Sequence, residues 1–144
     1  KHSGSTKERY VGYQKALKEN NISSSDGVCL FGKFTSEFGY EATKKMLENR
    51  LEIDGIFAGS DLIALGVMKA LEEYEFSVPD KIKLIGFDDI YVSRYLSPAL
   101  TTIRQPIYDI GKLASEMLIE YIENGKIEEN ILLLDTELIE RETT

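Results

Sequence analysis

The sequence has few of the residues that build metal centres or covalent cross-links. It contains one cysteine, Cys29, and one histidine, His2, among 144 residues. A single thiol cannot close an internal disulfide, and one thiol and one imidazole cannot assemble a Cys/His metal cluster. The sequence therefore predicts no disulfide, no metal and no cofactor, and it suits a reducing cytoplasm.

Basic residues and long apolar runs are also scarce. Lysine and arginine total 17 against 25 aspartates and glutamates, which gives a net charge of −8. Such a surface repels phosphates, and no cluster of basic residues offers a local binding stripe. No apolar run approaches the roughly 20 residues that span a bilayer. We therefore expect one ordinary domain that by itself binds neither DNA nor membrane.

Familiar catalytic motifs are missing as well. The sequence has no Gly-x-Ser-x-Gly elbow, no His-Glu-x-x-His and no phosphate-binding glycine loop. The nearest approach to an acid/base pair is Asp88 with Asp89, but neighbouring strand residues point to opposite sides of a sheet. An enzyme that uses this pair remains an alternative, and a non-catalytic binding domain is the favoured interpretation.

Helical and strand patterns alternate along the chain. A Ser-x-x-Glu capping box at Ser5 predicts a helix that ends at Asn20, and Ser36 is expected to cap a second one. Further helices are predicted from residue 61 and over residues 107–124, and strands over residues 28–31, 53–59, 82–87, 131–134 and 136–139, with an extended crossing at 98–106. Because parallel strands need crossover connections, this alternation predicts an α/β fold with a parallel, Rossmann-like sheet.

Ligands of open parallel sheets bind at the carboxyl ends of the strands. The loops at 32–35, 59–61 and 86–89, with the first turn of the opening helix, are expected at that edge. Asp88 could accept hydrogen bonds from hydroxyls, Arg9 could donate them, and Phe34 could cover an apolar ring face, a set that matches a sugar. Other roles stay open, namely a helix cap for Asp61, a surface ion pair for Arg9 and a core position for Phe34.

The order of these segments resembles the LacI/GalR family of bacterial transcription regulators. The resemblance rests on RYVGY at 9–13, DGIFAGSD at 54–61, VP at 78–79, GFDD at 86–89, PALTTIRQP at 98–106, and IG at 110–111 with Leu138 and Arg141. It covers nearly the whole chain and matches the C-terminal portion of the family's effector-binding domain.

The resemblance implies a two-lobed periplasmic-binding-protein-like type I fold, truncated at its N-terminus. Residues 1–105 would form an incomplete C-terminal lobe, residues 106–134 a helix and a strand of the N-terminal lobe, and residues 135–144 a return to the C-terminal lobe. The intact protein would be a cytoplasmic homodimer that binds operator DNA through an upstream helix-turn-helix, which these 144 residues do not include.

The resemblance also implies roles for individual residues. Arg9 and Asp88 would be the principal polar contacts to a sugar-like effector, Phe34 would stack on its ring, Ser60 would face it, and Ser5 and Gln105 would complete the set. Leu65, Met68, Tyr95 and Leu96 would lie at the dimer interface, although core packing is an equal alternative for Leu65. A sugar-binding protein of a transporter shares this fold and is the alternative function; a signal peptide upstream would identify it.

Overall fold

The computed structural model describes residues 4–23, 27–126 and 131–144, so His2 lies outside the described residues. The helices are α1 (Gly4–Glu19), α2 (Ser36–Glu48), α3 (Asp61–Glu73) and α4 (Ile107–Asn124), with a 3-10 helix at Tyr91–Tyr95. The strands are β1 (Gly55–Phe57), β2 (Lys83–Asp88), β3 (Thr101–Arg104) and β4 (Glu137–Ile139).

The four strands form one sheet in the order β1-β2-β3-β4. Strands β1, β2 and β3 are parallel, and β4 pairs antiparallel with β3, so that Thr102 faces Ile139 and Arg104 faces Glu137. The predicted α/β class with a mostly parallel sheet is confirmed. Parallel pairing aligns the ends of β1, β2 and β3 at one edge.

Helices α2 and α3 pack against each other through two glycines. A side chain at Gly39 would overlap the backbone of Ile63 in α3, and one at Gly66 would overlap the backbone of Ser36 in α2. Each helix therefore admits the other's backbone at the point where it has no side chain. This close contact fixes α2 on the outer side of α3 and leaves α3 to cover the sheet.

The core lies between α3 and the sheet. Its buried members come from α2, α3, β2 and the residues that follow β1 or precede β2 and β3: Leu47, Ala58, Ala64, Val67, Leu71, Ile82, Leu84 and Leu100. The end of the chain joins this core, because the buried hydroxyl of Thr143 accepts a hydrogen bond from the amide of Thr101 and donates one to the carbonyl of Leu84.

Two predicted strands are wrong. Residues 28–31 and residues 131–134 form no strand in the described part of the chain, and most of their apolar side chains are exposed; Leu133 is 92% exposed. An apolar run signals a tendency to be buried, whereas a strand also requires the backbone of a neighbour to pair with. Neither run has such a neighbour among the described residues.

Two predicted helix caps differ from the structure. Helix α1 already includes Gly4, so Ser5 lies inside its first turn rather than at the N-cap. Helix α2 is capped by Thr35, one residue before Ser36, and the Thr35 hydroxyl accepts a hydrogen bond from the amide of Phe38. Threonine and serine are both good N-caps, and the N-cap here is Thr35, whose backbone is extended.

Helices α1 and α4 cover little of the sheet. Neither has a fully buried residue, and both helices lie wholly within the described ranges. Helix α4 ends as predicted at Gly125, which is left-handed with φ of 70°. In the described part of the chain, no helix is long and apolar enough to cross a membrane. The assignment of residues 106–134 and 135–144 to different lobes stays a prediction.

Candidate functional site

The ends of three parallel strands bring polar groups together at one edge of the sheet. Gly59 and Ser60 follow β1, Asp88 ends β2 and Gln105 follows β3. The first turns of α1 reach the same edge, because an Arg9 guanidinium nitrogen donates a hydrogen bond to the carbonyl of Gly59. Four segments that are distant in sequence therefore meet at the place predicted for a ligand.

Asp88 is the central carboxylate of this edge. Its Oδ1 accepts a 2.7 Å hydrogen bond from the side-chain amide of Gln105 and lies 3.8 Å from a guanidinium nitrogen of Arg9. The side chains of Arg9 and Asp88 are 19% and 27% exposed. A carboxylate offers about four acceptor positions, so Asp88 keeps capacity for the hydroxyls of a ligand.

Arg9 lies against two aromatic rings. Its guanidinium carbon is 3.8 Å from the centre of the Phe87 ring and 5.5 Å from that of Phe34. Arginine is attracted to the negative face of such rings, and packing against Phe87 restricts its side chain. The rings therefore help to hold the guanidinium beside Asp88, and Phe34, which is 37% exposed, presents apolar surface next to the charged pair.

Burial is the largest influence on the ionisation of the pair. It raises the pKa of Asp88 above its ordinary value, although the charge of Arg9 and the hydrogen bond from Gln105 lower that pKa in part, while the charge of Asp61 raises it. Burial likewise lowers the pKa of Arg9, and Asp88 opposes that change. Both groups are partly removed from water. A hydrogen bond between either group and a ligand is therefore stronger here than at an open surface.

Asp89, next in the chain, has a different environment. Its side chain is 3% exposed and forms ion pairs with Arg104 at 2.7 Å and with Arg141 at 2.6 Å. Burial alone would raise the pKa of Asp89, but the hydrogen bonds and charges of the two arginines lower it overall. Asp89 thus connects β2 to β3 and to the end of the chain, and both of its oxygens are engaged.

The backbone that carries both aspartates is in a left-handed conformation. Asp88 has φ of 115° and Asp89 has φ of 52°. Residues with a side chain seldom adopt positive φ, and aspartate is among the few that tolerate it. Two such residues in succession persist only where surrounding contacts hold them.

A buried carboxylate at the start of α3 provides contacts of that kind. Asp61 has 0% exposure and accepts hydrogen bonds from the hydroxyls of Ser93 and Thr102, both at 2.6 Å, and from the amide of Ile90 at 2.9 Å. The helix-cap role considered for Asp61 belongs to its neighbour, because the hydroxyl of Ser60 accepts the hydrogen bond from the amide of Ile63.

The structure brings some of the predicted ligand contacts together and leaves others apart. Arg9, Asp88 and Gln105 form one connected group with Phe34 beside it. Ser60 is 3% exposed and caps α3, and Ser5 is exposed in the first turn of α1. Contact of any of the six with a ligand stays a prediction.

Sequence reasoning missed the observed roles of two residues of this region. Phe87 belongs to the 86–89 loop expected at the ligand edge, and an aromatic residue beside a strand-end aspartate is a signal that suggests a partner for Arg9. The function of Asp61 had no local signal, because its hydroxyl partners Ser93 and Thr102 lie 32 and 41 residues away.

A cavity of about 720 Å³ opens beside this group. Its lining includes Arg9, Phe34 and Gly59 and continues over polar and apolar residues of α1, α2, α3, β1 and the 27–34 and 51–54 segments, while Asp88 and Gln105 lie outside it. The arrangement can hold a compact ligand with hydroxyls on its edge and an apolar face. Within the described residues, no group of three or more potential metal ligands occurs.

The residues predicted for a dimer interface lie on α3 and near the 3-10 helix. Leu65 is partly buried, while Met68 and Leu96 pack against the core from its edge. Tyr95 is 64% exposed and its ring lies 5.0 Å from that of Tyr91, which is 72% exposed. An exposed aromatic patch therefore exists here, and its use in a dimer stays a prediction.

Comparison with known proteins identifies relatives of one kind. Residues 1–144 match the periplasmic binding protein-like domain. The HTH-type transcriptional regulator MalR of Clostridium butyricum is 39% identical over 135 residues, which are 94% of this chain and 40% of that protein. The chain therefore spans about 40% of the length of this curated relative.

Solved structures agree with the sequence relatives. A LacI family transcriptional regulator from Enterococcus faecium with bound ribose matches with a TM-score of 0.86 and 31% identity, over 94% of this chain and 50% of that one. The transcriptional regulator CelR in complex with cellobiose matches with a TM-score of 0.89 and 29% identity, over 95% and 42%. These matches confirm the resemblance to LacI-type regulators and the periplasmic-binding-protein-like fold.

Proposed function

The chain belongs to the periplasmic binding protein-like domain family, and from this membership we propose that it is the effector-sensing part of a LacI-type transcriptional regulator. The effector is a sugar or a related polyhydroxylated molecule. It binds at the strand-end edge and changes the affinity of the intact protein for operator DNA. This activity needs no chemical step, so the site binds its ligand and releases it unchanged.

The observation that carries the proposal is the group around Asp88. A carboxylate with free acceptor positions lies beside the Arg9 guanidinium, and the ring of Phe34 is adjacent. Sugars combine hydroxyls on their edges with an apolar ring face, and these side chains match both features. The ribose and cellobiose complexes of the two structural relatives support the same ligand class.

The exposed surface of α4 supports a second lobe. Its large apolar side chains Ile107, Tyr108, Ile110, Leu118, Ile119, Tyr121 and Ile122 are between 44% and 82% exposed. Apolar patches of this size mark a surface that another part of the protein covers. We assign residues 1–105 and 135–144 to one lobe and residues 106–134 to another, with the effector in the cleft between the lobes.

The intact protein acts as a homodimer in the cytoplasm. The exposed Tyr91 and Tyr95 serve as part of the dimer surface of this lobe, together with Leu65, Met68 and Leu96. A net charge of −8 makes this chain unsuited to bind DNA, so operator binding belongs to a helix-turn-helix elsewhere in the protein. Ligand in the cleft shifts the population of the state that binds the operator.

The test is ligand-dependent thermal stabilisation of the intact protein. Ribose and cellobiose are the first probes, followed by sugar phosphates and other pentoses, hexoses and disaccharides. A ligand at 100 times its dissociation constant stabilises the folded state by about 2.7 kcal/mol. Asp88→Ala is expected to abolish this stabilisation, and Asp80→Ala, which removes an exposed aspartate outside the site, is expected to preserve it. Stabilisation that survives Asp88→Ala contradicts the site, and a sugar recovered as a changed product contradicts the non-catalytic role.

A further inference from the structure

One buried residue that does not face the pocket helps to hold the strained turn that presents Asp88. Asp61 receives hydrogen bonds from three groups, and two of them control the backbone at Asp88 and Asp89. Its Oδ2 accepts from the amide of Ile90, the residue that follows the turn. Its Oδ1 accepts from the hydroxyl of Thr102 at 2.6 Å.

Thr102 connects Asp61 to Asp89, the middle residue of the turn. Its hydroxyl donates to Asp61 and therefore presents a lone pair to the amide of Asp89, which lies 3.4 Å away. A carboxylate can only accept, so it fixes the direction of the Thr102 proton. Two consecutive amides after Asp88 are thus held by Asp61, one directly and one through a single hydroxyl.

The preceding strand is shaped to admit this carboxylate. A side chain at Gly86 would overlap Oδ1 of Asp61. The glycine of the Gly-Phe-Asp-Asp segment therefore serves the approach of Asp61 to the strand end. A charged group at 0% exposure is costly to bury unless its hydrogen bonds compensate, and here all of them lead to elements that surround Asp88.

We propose that Asp61 is a positioning residue of the effector site, whose buried carboxylate fixes the Asp88–Ile90 turn with Asp88 and Asp89 in the positive-φ conformation that presents Asp88 to Gln105 and Arg9. This inference rests on the proposed function, because it concerns the same site. It adds a residue that has no contact with the ligand and that sets the affinity for the sugar through the backbone.

Amide exchange in the intact protein without ligand tests the positioning directly. Asp61→Asn keeps the size of the side chain but has one acceptor oxygen instead of two. We expect exchange at the amides of Asp89 and Ile90, and at the side-chain amide of Gln105, to rise about tenfold relative to the core amide of Ala58, as the loss of one buried hydrogen bond requires. Equal increases at Ala58 and at the turn would mean that Asp61 only stabilises the fold, and would overturn the proposal.

A matched pair of variants tests the same proposal if Asp61→Asn does not fold. Thr102→Val removes the hydroxyl that links Asp61 to Asp89, and Thr143→Val removes an equally buried hydroxyl that bonds Leu84 and Thr101 instead. We expect only Thr102→Val to raise exchange at Asp89. The same response from both variants would overturn the proposal.

Affinity supplies the second measurement. For whichever of ribose or cellobiose stabilises the intact protein, Asp61→Asn is expected to raise the dissociation constant about tenfold or more, while Thr143→Val changes it less than about twofold. If no sugar of the screen binds the wild type, the proposed ligand class fails, and the exchange measurements still decide the role of Asp61. Unchanged affinity in Asp61→Asn would overturn that role.

Discussion

Helices α3 and α4 both carry an apolar stripe, and only α3 buries it. Six residues of α3 are buried, whereas α4 has none, although it is the longer helix and its stripe is the clearer one in the sequence. Helix α3 lies between α2 and the sheet, and α4 follows the last parallel strand away from the core. An apolar stripe thus predicts that a helix packs against another apolar surface, and of these two helices only α3 has such a surface to pack against among the described residues.

The largest expected difference between the two helices comes from truncation of a leucine. Leu71 of α3 is 1% exposed and lies in the core. Leu71→Ala is expected to lower the free energy of unfolding of this chain by about 2–5 kcal/mol, because it removes buried surface and leaves a cavity. Urea denaturation measures the change. A loss below about 1 kcal/mol would show that α3 is not packed as described.

The ion pairs of Asp89 attach the end of the chain to the packed region. Asp89→Asn is expected to cost about 2 kcal/mol at neutral pH, because two charge-assisted hydrogen bonds are weakened and both arginines lose the charge of Asp89. The folded-state pKa of Asp89 is lowered, so its contribution is complete above the unfolded value of about 3.9 and disappears as pH falls through the lower folded value.

Denaturation of the wild type and Asp89→Asn at several pH values measures this dependence. The two stabilities should differ most above about pH 5 and converge as the pH falls below about 3.9. A difference that persists unchanged far below a pH of about 3.9 would mean that the arginines do not stabilise the ionised carboxylate.

Thr43 offers a smaller change with the opposite sign. Its hydroxyl lies in α2 at 0% exposure and has no hydrogen-bond partner among the described residues. Thr43→Val keeps the shape and removes the unsatisfied group, so we expect a gain of about 1 kcal/mol in the free energy of unfolding. Thr43→Ser, which keeps the hydroxyl and loses the methyl group, should destabilise. A loss of stability in Thr43→Val would indicate that the hydroxyl has a partner.

The smallest expected effect lies in α4. Leu118 is 58% exposed, so Leu118→Ala should change the stability of this chain by no more than about 0.5 kcal/mol. The same change in the intact protein should cost about 2 kcal/mol or more if a second lobe covers the helix. Equal small effects in both contexts would contradict the assignment of α4 to another lobe.

The sequence was sufficient for elements whose signals are local. The α/β class, α3, β2 and the end of α4 at Gly125 follow from periodicity, strand length and a glycine cap, all of which act within a few residues. The strands predicted at 28–31 and 131–134 failed because pairing depends on a distant backbone that no local pattern reveals. The cap of α2 has a similar limit. The sequence offers Thr35 and Ser36 side by side, and only the folded backbone shows that Thr35 is the extended one.

The candidate site shows a similar division. Arg9, Asp88 and Phe34 were predicted from their place at the strand-end edge and from the resemblance, Gln105 from the resemblance alone, and the structure places them side by side. The network of Asp61 could not be deduced, because it joins the start of α3 to the 3-10 helix and to β3, and only the folded chain brings these segments together. Residues that contact a ligand can be recognised from sequence motifs, whereas residues that support them are recognised mainly from the hydrogen bonds in the structure.

The antiparallel pairing of β3 with β4 has a mechanical consequence. These strands lie at the two ends of the segment that contains α4, and Arg104 of β3 joins them further by its ion pair with Glu137 of β4. If β3 and β4 were unpaired, the segment that contains α4 could shift and tilt freely. The paired strands form a ribbon that resists sliding of one strand past the other, so it deforms mainly by twisting or bending as a unit. Because Gln105, the partner of Asp88, directly follows β3, torsion of that ribbon would be transmitted first to the carboxylate at the pocket edge.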